Sequence, residues 1–446
     1  MVPDSLFITT MNVTGRVRLR DLRSISPEEL ERARRICETI ERIVGSRADF
    51  IARNQLDPSI SLPASNWSPE ADQPFLLRYQ HIVKGDHDVI NKLRLYAQFS
   101  SYDLATQSVV THGRLVPAVE DGFDEKMAQL VPEPDPWVRR YVLITRHVPP
   151  DIVPRYPKVL GEIGWDIEGK PVNHDVYAYQ ERINLMHEAG LIDWLRRRSQ
   201  ESGPANILEI GGGYGGLAYA LTDIIPGQIN YFICDLPESL LSSSIYLGIT
   251  RPEYRHLIYD GTDRPVLQNV NAGRAFAYLP NYMFDHFLAA GIKVDMAINT
   301  LSFPEMAESQ VRYYANGLKK AISSTGVLFE QNEDGRWVGM LDCKPVLAEY
   351  FPYRKTIRSK SIPLLSKGQA DVWSNRKLDD ILDGAFIPFT GSLTRVRLCL
   401  WRLSCLLRWR SLGVIRLRQI LHANVSPAMF ARIKKWWNRL GGHMPA

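Results

Sequence analysis

The chain has 446 residues, of which 45% are hydrophobic and 23% are charged, with a formal net charge of +5. This length exceeds one typical domain, and the composition is that of a globular protein with a core, which excludes a fibrous or wholly disordered chain. The opening residues lack a signal-peptide pattern and no run of about eighteen apolar residues occurs, so we expect neither secretion nor a membrane span.

The five cysteines are scattered along the chain without C-x-x-C spacing. An odd number of cysteines in this arrangement is typical of reduced thiols and argues against a disulfide framework or a zinc site. We therefore predict a cytoplasmic protein.

The first predicted element is a helix over residues 26–53, because residues 26–29 form a helix-start pattern and apolar residues follow at helical spacing. Residues 80–105 predict a second helix followed by a polar break. The prolines between residues 131 and 157 predict an extended connector. We assign residues 1–157 to a mainly helical N-terminal region that ends in this connector.

A polar and aromatic stretch over residues 162–180 precedes a predicted helix that ends near Arg197. Asn173 or Asp175 can cap this helix. The functional alternative is a lid over a bound cofactor that also supplies substrate contacts. The pattern leaves both interpretations open, and His174 in this stretch is a candidate general base.

Residues 206–238 have the most informative pattern: a strand, a glycine-rich turn, a helix and a second strand that ends in an acid. Glycines let backbone N–H groups approach a ligand where a Cβ atom would collide, and an acid at a strand end can accept ribose hydroxyls. The pattern therefore predicts a nucleoside-bearing cofactor on a βαβ unit. The candidate ligands in this unit are Gly211, Gly213, Gly215, Asp235 and Leu236.

The glycine spacing alone leaves the identity of the cofactor open. Gly211, Gly213 and Gly216 also satisfy the dinucleotide pattern G-x-G-x-x-G. Glu209, two residues before the first glycine, favours S-adenosylmethionine, because an acid there would repel a pyrophosphate and suits cationic amino and sulfonium groups. A nicotinamide oxidoreductase is the alternative.

The rest of the chain alternates strands and helices, which predicts a mostly parallel, seven-stranded sheet covered on both faces. Further strands are predicted at 256–259, 293–299, 326–331, 353–358 and 370–374, the last two as an antiparallel pair. At the carboxyl ends of the strands we expect five side chains to converge: Glu209, Asp235, Asp260, Asn299 and Gln331. Asp260 follows the third predicted strand, where an adenine would be contacted.

Several of these segments resemble one known family. The matching residues are 162–164, 173–180, 208–218, 235–238, 298–306 and 331–337, with weaker similarity at 90–94. In these segments the chain is similar to bacterial sugar O-methyltransferases associated with surface polysaccharide assembly. The resemblance implies a Rossmann-like class I methyltransferase core over residues 158–376, S-adenosylmethionine as cofactor and a sugar or glycan hydroxyl as acceptor. A non-catalytic methyltransferase-like module in a glycan-assembly complex is a further alternative.

Methyl transfer to a hydroxyl requires oxygen, carbon and sulfur in line, together with a base that takes the hydroxyl proton. Glu305, after the fourth predicted strand, is the leading candidate for the base or for a substrate anchor. Its other interpretation is an ordinary acid in the first turn of a helix over residues 304–322. His256, His174 and Asp260 are weaker candidates.

A divalent metal held by Glu330, Glu333 and Asp334 is a less favoured alternative. Carboxylates are suitable ligands for magnesium, which polarises hydroxyls. Acids also collect on solvated loops without any ion. We therefore assign no metal ligand.

Residues 377–446 form a basic, aromatic-containing extension. Eleven Lys and Arg residues lie between Arg395 and Arg439, and no acid follows Asp383. This composition is typical of a segment that contacts an anionic membrane or an acidic partner, which predicts a peripheral position at the inner membrane face. Nucleic acid is disfavoured because no base-reading motif accompanies the charge. A solvated or self-packing extension is the alternative.

Overall fold

The computed structural model describes residues 13–63, 79–97, 136–146, 148–201, 203–261, 267, 270, 273–332, 340–359, 362, 365 and 368–377. The strands are β1 (Val13–Val17), β2 (Gly164–Ile167), β3 (Lys170–Val172), β4 (Ala205–Ile210), β5 (Ile229–Asp235), β6 (Arg255–Ile258), β7 (Ala275–Pro280), β8 (Val294–Thr300), β9 (Ile322–Gln331), β10 (Tyr353–Thr356) and β11 (Ala370–Ser374). The helices are α1 (Pro27–Arg53), α2 (Pro58–Ser61), α3 (His87–Ile90), α4 (Leu93–Ala97), α5 (Pro136–Thr145), α6 (His174–Glu188), α7 (Leu191–Glu201), α8 (Gly216–Ile224), α9 (Pro237–Thr250), α10 (Phe284–Ala289), α11 (Glu308–Ala321) and α12 (Cys343–Tyr350).

The central sheet has eight strands in the order β10-β11-β9-β8-β4-β5-β7-β6. All neighbouring pairs are parallel except those of β11, which runs antiparallel to both β9 and β10. The α/β fold, the mostly parallel sheet and the closing antiparallel pair are as predicted. The predicted number of seven strands is wrong, because β7 adds a strand that the pattern of strands and helices did not indicate.

The position of β7 also changes where the third predicted strand lies in the sheet. The strand beside β5 is β7, whereas the predicted strand at 256–259 forms β6 at the edge of the sheet. Asp260 therefore lies three strands from β4, which at the usual spacing is about 14 Å. The residue that follows the strand beside β5 is Asn281.

The helix predicted for residues 26–53 is confirmed as α1. Ser26 caps it, and Glu29 completes a reciprocal capping box. The single helix predicted for 80–105 is wrong in its described part, which is divided into short helices. Gly85 interrupts it with φ +65, and a Cβ atom there would lie 2.9 Å from Cγ of Arg34.

Two further predicted elements differ from the structure. The described part of 131–157 contains α5, which begins at a proline, so it is not an extended connector throughout. The helix predicted for 304–322 is split into a 3₁₀ turn, Phe303–Glu305, and α11. Helix α11 has its own N-terminal cap, because the Ala307 N–H donates to the Gln310 side chain at 3.0 Å.

One hydrophobic core includes residues on both sides of the predicted boundary at 157 and 158. Helix α1 packs along α9, and Arg47 donates to both carboxylate oxygens of Glu238 at 2.9 and 3.2 Å. The side chains of Asn281 and Gln310 donate to backbone carbonyls of residues 60–62, which include the end of α2. Among the described residues, no helix is long and apolar enough to cross a membrane.

Candidate active site

The candidate site lies where the strand order reverses, between β4 and β8. In open α/β sheets, ligands bind at the carboxyl ends of the strands beside this switch point. Asn299 of β8 pairs with Ile210 of β4, and its side-chain Nδ2 donates to the Ile210 carbonyl at 3.0 Å and to Ser302 Oγ at 2.6 Å. The two strand ends are thereby joined directly below the glycine-rich turn.

Two glycines of that turn have different reasons for being glycine. Gly211 has φ +76, and a Cβ atom on it would lie 2.3 Å from Ser302 Oγ. Gly213 has φ +56, and a Cβ atom on it would meet nothing within 4 Å. Gly211 is therefore required by packing, whereas Gly213 borders open space at the strand ends, where a ligand would approach the backbone.

Glu209 lies beneath this turn and is buried. Its Oε2 accepts a hydrogen bond from the Tyr231 hydroxyl at 2.8 Å and would lie 3.2 Å from a Cβ atom on Gly212. Burial raises the pKa of Glu209 to about 7, although the Tyr231 hydrogen bond and the charge of Arg182 lower it. The site thus contains a carboxyl group that a nearby cation would ionise at neutral pH.

Asp235, at the end of β5, braces the turn. Its Oδ2 accepts from the Gly213 N–H at 2.9 Å, and its Oδ1 accepts from the Leu236 N–H at 2.7 Å. Burial raises the pKa of Asp235 to about 6. Three of the residues predicted to bind the cofactor are therefore joined to one another, and each carboxylate oxygen keeps acceptor capacity for a ligand.

A buried ionic network supports the same turn from the side of α6. Arg94 donates to Glu162 at 2.6 Å and to Asp175 at 2.9 Å, and Asn173 donates to Glu162 at 2.6 Å. The Arg94 guanidinium lies 3.3 Å from the ring centroid of Tyr214, a residue of the turn. Segments that are far apart in the sequence thus meet against the predicted cofactor loop, and Asn173 also caps α6 as expected.

Polar side chains also crowd the end of β9. Gln331 Nε2 donates to Glu181 at 2.8 Å, and Asn332 Nδ2 donates to Asn299 at 2.9 Å. Among the described residues, Gln331 Oε1 and Asn332 Oδ1 at this strand end, Tyr214 Oη in the turn and Arg182 Nε on α6 are buried without a hydrogen-bond partner. Since such atoms are costly when unsatisfied, they indicate where a ligand or water would supply bonds.

The three predicted catalytic residues are in different places. Glu305 is half-buried in the turn that directly follows β8, at the carboxyl edge of the sheet. His174 begins α6, with its ring 4.6 Å from that of Trp137 and its Nδ1 3.5 Å from Asp175. Both lie in elements that surround the site, and their roles remain predictions.

The structure does not bring His256 to the site. It pairs with Phe276, near the amino end of β7, about 13 Å from the carboxyl end at the usual rise per residue. Its Nε2 donates to the Arg251 carbonyl at 3.0 Å and its Nδ1 accepts from the Tyr278 hydroxyl at 2.9 Å. Burial lowers its pKa. Both ring nitrogens of His256 are thus bonded within the protein, which suits a structural role, and its role as a base stays a prediction.

Glu330, the described member of the metal alternative, has other partners. Its side chain is fully buried, accepts from Lys344 at 3.1 Å and contacts Trp373 at 3.4 Å. Glu333 and Asp334 lie outside the described residues. No group of three His, Cys, Asp or Glu residues in the described part of the chain is arranged to hold a metal ion.

Sequence reasoning missed Arg94, Arg182 and Tyr231. Arg94 ends the weakly similar segment 90–94, but its contacts depend on residues at 162 and 175. Arg182 lies among buried positions of α6. A charged residue in a helix that is buried around most of its surface could have identified it as a candidate.

No family model and no curated protein sequence matches this chain. Among solved structures it is similar to MNMC2 from Aquifex aeolicus, at 12% identity over 48% of this chain and 67% of that chain, with a TM-score of 0.31. Spermidine synthase from Thermotoga maritima aligns at 13% identity over 49% of this chain and 66% of that chain, with a TM-score of 0.28. Magnesium protoporphyrin IX methyltransferase from Synechocystis, with bound SAM, aligns at 11% identity over 45% and 82% of the two chains, with a TM-score of 0.27. The chain spans about two thirds of the first two proteins, and similarity at this level shows nothing about activity.

Proposed function

We propose that this chain is an S-adenosylmethionine-dependent O-methyltransferase that acts on a hydroxyl of a sugar or glycan. The observation that carries the cofactor assignment is the turn at Gly211 to Gly215, which has a buried carboxyl group beneath it and a strand-end carboxylate beside it. The sugar acceptor and a role in surface polysaccharide assembly are supported by the resemblance of segments 162–164, 173–180 and 298–306.

The residues at the turn fit this cofactor better than a dinucleotide. A pyrophosphate needs the backbone N–H groups of the turn, and the Gly213 N–H already donates to Asp235. Glu209 gains from a cation in the open space beside Gly213, because ionisation of a buried carboxyl becomes favourable there. Asp235 retains lone pairs that can accept ribose hydroxyls. When bound, S-adenosylmethionine supplies a methyl group on a positively charged sulfur.

The acceptor half of the proposal rests on the other polar groups of the crevice. Gln331 Oε1 and Asn332 Oδ1 are unsatisfied acceptors, which suit a ligand with several hydroxyl donors. Glu305 follows β8 at the same edge and is proposed to take the proton of the reacting hydroxyl. The chain's residues thus position the acceptor, exclude water from buried faces and receive one proton.

Two measurements test the assignment. Calorimetry with S-adenosylhomocysteine and with a nicotinamide dinucleotide separates the proposed enzyme from the oxidoreductase alternative, and we expect binding of the first only. Incubation with labelled S-adenosylmethionine and a panel of nucleotide sugars and glycan extracts then identifies the acceptor. Cofactor binding without transfer to any acceptor would favour the non-catalytic module.

Substitution of Glu305 by glutamine should lower kcat about a hundredfold or more, because a general base typically contributes that much. Binding of S-adenosylhomocysteine should stay unchanged. Glu308→Gln is a matched control, since Glu308 is an exposed acid three residues further on that pairs only with Arg312 among the described residues. Near-normal turnover of Glu305→Gln would remove Glu305 from the role of base.

Substitution of Gly213 by alanine should separate folding from binding. The left-handed backbone costs alanine about 1–2 kcal/mol of unfolding free energy, and the added Cβ atom meets no protein atom. Affinity for S-adenosylhomocysteine should fall at least about tenfold, because the methyl group enters the space of the ligand. Urea unfolding and calorimetry on the same samples measure both. Unchanged affinity would place the ligand elsewhere.

The contact of the basic extension with an anionic membrane or acidic partner is also a proposal. It depends on composition alone, because residues 378–446 lie outside the described part of the chain. We likewise propose a cytoplasmic location.

A further inference from the structure

Arg182 of α6 is buried without an anionic partner. The residue is 4% exposed, and its buried Nε has no hydrogen-bond partner among the described residues. The guanidinium carbon lies 5.2 Å from the centroid of the Tyr179 ring. A buried guanidinium without a partner is strongly unfavourable, so this position suits an anion that the described residues do not provide.

Two other arginines with little exposed surface in this protein have carboxylate partners. Arg94 binds two carboxylates, and Arg354 donates to Asp371 at 2.8 Å. The acid adjacent to Arg182 in the sequence is also occupied, since Glu181 accepts from Tyr177 at 2.7 Å and from Gln331. Glu181 is therefore bonded elsewhere, and no carboxylate of the described residues forms an ion pair with Arg182.

The position of Arg182 relates it to the glycine-rich turn. A Cβ atom on Gly216 would lie 2.4 Å from Cε2 of Tyr179, the ring that Arg182 contacts. The positive charge of Arg182 is felt by Glu209, although the two form no ion pair within the described structure. A cationic group, which reaches the turn through Tyr179, and the anionic group beneath the turn thus lie near the same loop without pairing with each other.

We propose that Arg182 binds the carboxylate at the amino-acid end of S-adenosylmethionine, while Glu209 attracts the cationic groups of that end. This inference rests on the proposed function and specifies which part of the cofactor the site recognises. A planar guanidinium matches a carboxylate with two parallel hydrogen bonds, and the bond is strong where water is excluded. The two opposite charges would bind the zwitterionic amino-acid group and would discriminate against the same nucleoside without it.

The test compares two ligands on one protein. S-Adenosylhomocysteine carries the amino acid, whereas 5′-methylthioadenosine has the same nucleoside thioether without it. By calorimetry, Arg182→Gln should weaken S-adenosylhomocysteine binding about a hundredfold and change methylthioadenosine binding less than about threefold. Arg182→Lys should lower the affinity for S-adenosylhomocysteine about tenfold and leave that for methylthioadenosine unchanged, because lysine keeps the charge but lacks the planar guanidinium.

Arg198→Gln is the matched control. Arg198 pairs with Asp295 near the amino end of β8, on the opposite edge of the sheet, and its loss should alter neither affinity. If Arg182→Gln lowered the affinity for both ligands equally, or for neither, the inference would be overturned. A loss confined to nucleoside diphosphates would also overturn it, because Arg182 would then serve an acceptor phosphate. If the wild type binds no S-adenosylhomocysteine, the proposed function itself fails. Should Arg182→Gln not fold, Arg182→Lys alone decides by the same comparison.

Discussion

Replacement of Arg94 by methionine is expected to lower the free energy of unfolding by about 3–5 kcal/mol. Arg94 and Glu162 are both fully buried, and Arg94 also binds Asp175. Methionine preserves much of the side-chain volume but leaves two carboxylates without their cation. The penalty is the cost of uncompensated buried charge, which exceeds the net value of the ion pair itself. Urea unfolding of the two proteins measures it.

Two further variants make this result interpretable. Arg35→Met removes an exposed i,i+4 partner of Glu31 and should change stability by less than about 0.5 kcal/mol. The double variant Arg94→Met with Glu162→Leu should recover part of the loss, because it removes one of the two unpaired carboxylates and leaves only Asp175 without its cation. A loss below about 1 kcal/mol in Arg94→Met would show that the network is solvated, contrary to the structure.

Substitution of Glu209 by glutamine is expected to stabilise the ligand-free protein and to weaken cofactor binding. Burial raises the pKa of Glu209 from 4.5 to about 7, so ionisation above that pH opposes folding. A shift of this size lowers the free energy of unfolding by about 3 kcal/mol at pH 8. Glutamine resembles the neutral acid and can still accept the hydrogen bond from Tyr231. A residue that destabilises the fold in this way is typical of a binding site.

The dependence on pH has a definite sign. Between pH 4.5 and 7 the folded wild type holds a proton on Glu209 that the unfolded chain has released, so its free energy of unfolding falls as pH rises. The stability advantage of Glu209→Gln should therefore be near zero at pH 4.5 and fully developed at pH 8. Urea unfolding across this range measures it, and an advantage that shrinks with rising pH would contradict the raised pKa.

Binding should show the opposite preference. Arg182, Tyr231 and Asp235 are the groups that act on Glu209, and a bound cation favours the ionised carboxyl. Wild-type affinity for S-adenosylmethionine should thus rise by about tenfold from pH 6 to pH 8, with protons released on binding. Calorimetry in two buffers of different ionisation enthalpy detects that release. In Glu209→Gln the release from this group should disappear.

The local part of this fold could be predicted, because glycine spacing, a capping box and strand-helix alternation are properties of neighbouring residues. The turn at Gly211, the cap at Ser26 and the antiparallel strands near 353 and 370 follow from such patterns. Strand β7 was missed because its sequence, AFAYLP, is a continuous apolar run without alternation, which also suits a buried helix or loop.

The partners of buried polar groups could not be predicted in the same way. Arg94 finds Glu162 and Asp175 only after residues 68 and 81 positions away pack together. His256 and Asp260 were expected near the cofactor because they belong to the third predicted strand and its end. That strand is β6 at the edge of the sheet, and β7 separates it from β5, whereas Glu209, Asp235 and Asn299 lie on the neighbouring strands β4, β5 and β8.

The packing of α1 on α9 has a consequence for synthesis of the chain. Arg47 and its partner Glu238 are 191 residues apart, and a ribosome that adds roughly 5–20 residues per second needs roughly 10–40 s to cover that distance. For this interval the newly made helix carries Ile36, Ile40 and Ile43, which are buried in the finished protein, without the surface that covers them. We therefore expect the nascent chain to expose this apolar helix until α9 has been made, and to be most prone to aggregation during that interval.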